Sequence, residues 1–339
     1  MRWDVGIDLG TRCVRMTRAG DGSLLSQAAA IAVDPQREHT LCALDAAYAL
    51  YGREHERAQV CFPISDGTLR SAEHARALLA CLYAPEEAQL ARRRRERVLL
   101  TCAPFSRPVQ REALLRAALD AGAGEAALLR SDAAVAVGAG LNILAPEASL
   151  LVDVGAGKIS ATLFTRGLVA AYAYLPYGVL RIDERIARML RTERGYAIGP
   201  KTAEEIKQAL AAAHGGARVP MRVAGLSLQS RMPELFDVDA DTVLRACEGV
   251  VVEMLGMAAS VVDNAPEELA ADLNDTGCVL AGGGALLSGL DKRMGDHLGI
   301  PCRVADAPQV CGGAGLAKIM EDPQPYETLF LETMKAVRH

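Results

Sequence analysis

The sequence predicts an α/β protein made of two halves, related by an internal duplication. Strand-period and helix-period stretches alternate along the chain. Val5–Met16 and Leu151–Leu163 repeat one order: apolar strand, Asp, apolar residue, glycine turn, alternating strand. With 339 residues, half of them apolar, the chain is long enough for two domains or one large duplicated one.

The elements follow in order. Strand patterns cover 4–8, 13–18, 58–62, 98–102, 149–154, 159–164 and 277–281. Helical periodicity covers 109–122, 180–194, 202–213, 241–263 and 285–297. Pro108 opens the first of these helices, Leu114, Leu115, Ala118 and Leu119 form its apolar face, and Gly122 stops it. Residues 84–97 read as a charged break between a helix and the next strand, and 214–235 as loops around one short strand.

Composition narrows the function. The nine Cys are scattered and show no CxxC spacing, which points to a reducing compartment and to small core side chains rather than disulfides or zinc. No apolar run approaches the roughly 20 residues of a spanning helix, and Met1 leads straight into the first strand pattern. A cytoplasmic protein without a leader is expected. A net charge of −5 argues against a nucleic-acid partner.

The glycine turns carry the chemistry. Glycines let backbone N–H groups line a concavity, and such nests hold phosphate oxygens. A dinucleotide-binding loop opens a helix, whereas both hairpin turns here lead into alternating strands, "CVRMT" and "ISATLF". No GxxxxGK[ST] occurs either. The third run, Gly282-Gly283-Gly284, is expected to pass from strand to helix and to present that helix's N-terminal donors. Asp8 and Asp153, each at a strand end beside a nest, suit the water shell of Mg²⁺, which takes few direct protein ligands.

In this order the motifs resemble, nearly end to end, the MreB/Mbl family of rod shape-determining proteins within the bacterial actin-like ATPases. "VGIDLGT" is similar to the first phosphate loop, "LLVDVGAGK" to the second, "SDAAVAVGAGL" to the segment connecting the halves, "IGPKTAEEIKQAL" to the nucleotide-side helix and "VLAGGGALLSGLDKRMGDHLGIPCRVADAP" to the adenosine motif. The resemblance implies an actin-like (ribonuclease H-like) duplicated fold, two α/β halves around a nucleotide cleft holding ATP and Mg²⁺. Domain I is expected at 1–145 plus about 308–339, with a small subdomain at about 31–60. Domain II is expected at 146–307, with a small subdomain at about 180–240. Asp8, Gly10, Thr11, Arg12 and Cys13 would hold one phosphate side, and Gly155, Ala156, Gly157 and Lys158 the other. Glu204 and Lys207, one helical turn apart, would border ribose and adenine, with an ordinary solvated ion pair as the alternative. Gly282, Gly283, Gly284 and Ala285 would support the nucleotide from below.

The chain is a divergent member of that pattern. Ser131-Asp132 stands where the family carries Glu-Pro, whose Glu activates the attacking water. Lys158 replaces a Thr of the second loop, Cys13 an Asn of the first, and Leu180 an acidic residue. A serine hydroxyl is a far poorer base than a carboxylate, and positioned acid–base help is worth about 10²–10⁴-fold. Asp132 could substitute only with a shift of the backbone. Lys158 brings a full positive charge to the phosphates, tightening binding and relieving dependence on Mg²⁺ without supplying a base.

The expected protein is an ATP-binding filament former that sets rod shape by organising cell-wall synthesis, with weak or lost hydrolysis. Its partners would be itself, the inner membrane and the wall-synthesis complex. Membrane contact is assigned to Arg92, Arg93, Arg94 and Arg95, with Arg97, and to Trp3 and Leu90 as shallow apolar anchors; a solvated charged loop is the alternative. A non-polymerising adaptor holding ATP as a structural ligand stays open, and a kinase of the same superfamily is opposed by the compact length and by Ser131.

Overall fold

The computed structural model describes residues 3–20, 22–37, 39–83, 96–213 and 219–336. Its two large sheets are built alike. In the first, the hairpin Val5–Leu9/Cys13–Arg18 is extended by Leu24–Ala28 on one side. On the other side Arg97–Cys102 and Glu125–Arg130 add in parallel, and Phe330–Lys335 closes the edge antiparallel. In the second, the hairpin Ser149–Val154/Ile159–Thr165 is extended by Leu168–Leu175, and Cys278–Ala281 and Cys302–Val304 add in parallel. The duplication read from the two hairpins therefore extends to five strands in one order.

Two small three-stranded sheets sit beyond the large ones. One comprises Ile31–Asp34, His39–Ala43 and Gln59–Cys61; the other comprises Tyr196–Ala197, Met221–Ser227 and Pro233–Val238. The second corrects the reading of 214–235 as loops around one strand. Both long strands keep one face open to water, but that face carries apolar Leu226 and Leu235, which blurs the apolar-in, polar-out alternation that one-sided burial gives. The helix expected at 285–297 is also corrected. Gly283–Leu286 is a single 3₁₀ turn, and the helix proper, Leu290–Leu298, starts after Gly289 in the left-handed region at φ 76°. The donors beside the glycine run are thus those of a tight turn, not of a helix end.

Each half has its own apolar core. In the second, the long helix Ala240–Asp263, capped by Asp239 accepting from the Thr242 amide at 2.7 Å, lays Val243, Val250 and Met254 against the sheet. A third core joins the halves: Leu99 and Leu129 from one sheet meet Leu151, Phe164 and Val279 from the other around the helices Ser131–Gly138 and Cys311–Glu321. Those helices cross at backbone distance. A Cβ added at Gly315 would overlap the Ala134 carbonyl, and one at Gly138 the Cys311 carbonyl. Small residues four apart on each helix make this approach possible.

Trp3 belongs to this shared core. It is 1% exposed, its ring stacks on Phe330 at 6.0 Å, and Arg97 lies over it at 5.1 Å while bonding Glu125. The membrane roles expected for Trp3 and Arg97 are therefore corrected: Trp3 packs the N-terminal segment against the C-terminal one, and Arg97 is engaged by Trp3 and Glu125. Leu90, Arg92, Arg93, Arg94 and Arg95 lie outside the described residues. Among the described residues no helix is long and apolar enough to cross a membrane.

Candidate functional site

The two hairpin tips are the same turn made twice. The Gly10 amide donates to the Cys13 carbonyl at 3.0 Å, and the Gly155 amide to the Lys158 carbonyl at 2.9 Å. They meet head on: a Cβ at Gly157 would overlap the Thr11 side chain, so only glycine fits there. The second tip is held from behind by the helix Leu180–Glu193, since Val179 and Leu180 donate their amides to the Gly155 and Ala156 carbonyls at 3.1 Å. The third bend reaches the same place because Cys278–Ala281 runs beside Ser149–Val154, with Ala281 opposite Asp153. Gly282 is tied there by its N–H, which donates to the Pro308 carbonyl at 2.8 Å.

These three bends line one cavity of about 680 Å³ between the halves. Asp8, Gly10, Thr11, Arg12 and Cys13 line it from one side, and Asp153, Gly155, Ala156, Gly157 and Lys158 from the other. Glu204 and Lys207 stand at its far wall, Gly282, Gly283 and Gly284 at its floor, and Ser131 at its edge. Two expected residues are not brought to it. Ala285 is 1% exposed and packs into the core of the second half. Asp132 is fully buried, and its oxygens are used up: Arg130 donates twice (3.1 and 2.6 Å), Thr162 Oγ1 once (2.9 Å) and the Ala133 amide once (2.9 Å). A carboxylate satisfied in this way has no lone pair for a water proton. Ser131 Oγ is buried without a hydrogen-bond partner among the described residues, and of this pair it is Ser131 that lines the cavity.

The electrostatics are organised around ion pairs. Lys158 Nζ sits 2.6 Å from Asp153 Oδ2 and 3.4 Å from Ser160 Oγ. Burial works against its ammonium form, but the Asp153 charge and hydrogen bond, reinforced by Asp132 and Asp8, outweigh it and hold the pKa above the ordinary lysine value. Asp8 accepts from Thr101 Oγ1 at 2.8 Å and faces Arg15 at 3.4 Å. Burial pushes the Cys13 thiol up, so it stays a neutral thiol.

At the far wall, Glu204 and Lys207 do not pair with each other as the solvated alternative required. Lys207 bonds Asp183 at 2.8 Å, and Glu204 accepts from Tyr48 Oη at 2.6 Å, across the cleft. Burial pushes the Asp183 carboxyl up to about 6, with Lys207 partly offsetting it. Arg12 lines the cavity but stacks its guanidinium on Tyr51 (4.7 Å) and Phe62 (4.5 Å), tying the first tip to the small sheet.

Four residues at the site escaped sequence reasoning: Arg15, Thr101, Tyr48 and Asp183. Arg15 was readable, since a four-residue turn after Leu9 puts it opposite Asp8 in the hairpin register. Tyr48 and Thr101 are brought in by contacts 156 and 93 residues apart, for which a sequence has no local signal.

Comparisons with known proteins agree with this arrangement. The MreB/Mbl protein family model matches residues 2–328. The chain is 29% identical to the cell shape-determining protein MreB of Escherichia coli K12 over 323 residues, covering 94% of this chain and 93% of that protein. The crystal structure of MreB5 of Spiroplasma citri bound to ADP is similar at TM-score 0.89 and 25% identity, over 97% of this chain and 98% of that one. The MamK double helical filament shares the fold at TM-score 0.77 and 18% identity, over 94% of this chain and 98% of that one. With its duplicated hairpins, its glycine-lined cleft and a family match over almost its whole length, this chain belongs to the MreB/Mbl family of actin-like, cell shape-determining proteins.

Proposed function

We propose that this chain is a nucleotide-binding cytoskeletal protein that self-assembles and serves cell shape, and that it hydrolyses ATP slowly or not at all. The observation that carries the reading is the convergence of both hairpin tips and the triple-glycine bend on one cavity of about 680 Å³. Backbone amides at such tips offer donors to phosphate oxygens, and Lys158 adds a charged one. MreB5, which is similar throughout, is described bound to ADP and to AMPPNP. The sheet membership supports the expected division: the C-terminal strand Phe330–Lys335 returns to the first sheet, and 31–61 and 196–238 hold the two small ones.

Slow hydrolysis follows from the proton inventory at the connecting segment. Ser131 can orient a water but takes no proton near neutral pH, and Asp132 is saturated. Losing a positioned base costs about 10²–10⁴-fold in rate. The Mg²⁺ expected on Asp8 and Asp153 fits this site poorly, because Arg15 and Lys158 already occupy those carboxylates. Self-association, with wall-synthesis organisation downstream, extends from the family and from the MamK filament fold. An open head-to-tail contact is what a filament requires.

The test combines sedimentation, electron microscopy and phosphate release. Incubation with ATP is expected to pellet the chain as filaments with little phosphate released, and Ser131→Glu is expected to raise the release. Release by the wild type at the rate of an ordinary family member would refute slow hydrolysis, and a chain that stays in the supernatant with bound nucleotide would refute self-assembly.

A further inference from the structure

We propose that the Lys158 ammonium takes the place of the divalent cation at Asp153, so that this cleft binds a nucleoside polyphosphate without metal. The inference rests on the nucleotide reading above and names how that site meets the ligand's charge.

Two carboxylates, Asp8 and Asp153, line the cavity at the hairpin tips, and each carries its own cation from the chain, as does Asp132 buried behind them. Asp153 holds Lys158 at 2.6 Å, Asp132 holds Arg130 at 2.6 Å, and Asp8 faces Arg15 at 3.4 Å. Without these cations, a polyphosphate would enter a cavity walled by carboxylates and would need metal ions to screen the repulsion. With them the carboxylates at the two tips are balanced before any ligand arrives.

Of the two pairs that line the cavity, the one at Asp153 is the harder to displace. Its side chains are 13% and 9% exposed, and its geometry is that of a short charge-assisted hydrogen bond. A hydrated Mg²⁺ at Asp153 would have to share Oδ2 with the ammonium, or lie beside it as a like charge where the low local dielectric amplifies repulsion. The ammonium has three N–H donors. One bonds Asp153 and a second points towards Ser160 Oγ at 3.4 Å; the third serves a phosphate oxygen in the cavity that Lys158 lines. Lys158 is thus both the counter-ion of Asp153 and a direct phosphate ligand, the two tasks a bridging metal performs.

The test is equilibrium binding of a fluorescent ATP analogue to the purified full-length chain, in excess EDTA and in excess Mg²⁺. Wild type is expected to bind in EDTA within about threefold of its affinity in Mg²⁺. Lys158→Thr, which frees Asp153 for a metal, is expected to lose about tenfold or more in EDTA and to regain it with Mg²⁺. A wild type that loses about tenfold or more in EDTA overturns the inference. Thermal melting checks that Lys158→Thr is folded; if it is not, the two wild-type titrations decide alone. No binding by folded wild type in either condition removes the nucleotide reading and this inference with it, whereas metal-dependent binding removes the inference only.

Discussion

The two hairpins at the heart of the molecule share a backbone and differ in chemistry. Both place an Asp one residue before the last strand position, both turn over four residues, and both close with the same amide-to-carbonyl bond. Their cations come from different places. In the first, Arg15 stands directly across the ladder from Asp8; in the second, Ser160 stands across from Asp153 and the cation comes from the turn, at Lys158. The duplication has kept the geometry that aims an Asp at the cleft and left open how its charge is balanced. The difference teaches which pair is tighter. Lys158 and Arg15 are equally covered, but Lys158 is 2.6 Å from its carboxylate, while Arg15 is at 3.4 Å and Asp8 has a second donor in Thr101.

The sharpest way to break this comparison is to remove each cation in turn. Lys158→Met leaves Asp153 buried and unpaired, and losing one partner of a buried pair costs about 3–5 kcal/mol. Arg15→Met leaves Thr101 donating to Asp8, so its cost falls to about 1–2 kcal/mol. Chemical denaturation of both variants measures the gap. Equal costs would mean that the two hairpins share their charge chemistry as well as their backbone.

The duplication also appears where the halves meet. Ala134 and Gly138 on one helix cross Cys311 and Gly315 on the other, each glycine lying against a carbonyl of the opposite helix. Gly138→Val and Gly315→Val should each destabilise by about 3 kcal/mol through overpacking, far more than the few tenths that helix propensity returns. Similar losses in thermal or denaturant unfolding mark a symmetric crossing; a large loss at one position alone marks one helix as free to shift.

The same comparison explains what was legible in the sequence. The hairpins were, because an apolar strand, an Asp, a glycine turn and an alternating strand recur in order, and burial on both faces makes Leu150–Val152 an unbroken apolar run. So was the clustering of the three glycine bends, though the third was read as opening a helix when it opens one 3₁₀ turn. The small sheet at 196–238 was missed, since its strands face water and carry exposed Leu226 and Leu235. Trp3 was misread for a related reason: a lone aromatic near a chain end gives no hint that Phe330, more than three hundred residues later, returns to cover it. Lys158 was read as a phosphate-binding group, but its bond to Asp153 depends on side-chain direction at a turn, which the residue order does not encode.

The far wall offers a milder test, through pH. Asp183 titrates near 6 in the folded chain, against an ordinary value of 3.8, chiefly because it is buried. A folded-state pKa above the unfolded one means the folded chain binds that proton more tightly. The favourable contribution of Asp183 is therefore complete below about pH 4 and lost as pH rises to about 6. The two-unit gap corresponds to at most about 3 kcal/mol, and we expect about 2 after relaxation around Lys207. Between about pH 4 and pH 7, wild type should lose that much more stability than Asp183→Asn. Parallel curves would show that Lys207 keeps Asp183 ionised throughout.

The smallest effect expected is where Tyr48 meets Glu204 across the cleft, and it separates the two ends of the molecule. The large sheets are joined by a continuous apolar core and the glycine crossing. The small sheets are joined by polar contacts: Tyr48 Oη to Glu204 at 2.6 Å, and Lys201 Nζ to the Ala49 carbonyl at 3.0 Å. Apolar burial is slow to reverse, whereas a hydrogen bond at a solvent-facing rim contributes only about 0.5–1.5 kcal/mol net and re-forms with water when broken. Opening should therefore begin at the small sheets and pivot on the crossing helices. Tyr48→Phe removes the shorter of the two contacts while keeping the ring that lies 5.0 Å from Lys201. It should leave global unfolding unchanged within about 1 kcal/mol and speed release of a fluorescent nucleotide by about threefold to tenfold in stopped flow, because changes at a rim act chiefly on the off-rate. Unaltered release with faster hydrogen exchange at the crossing helices would reverse the order, making the glycine crossing the part that gives way first.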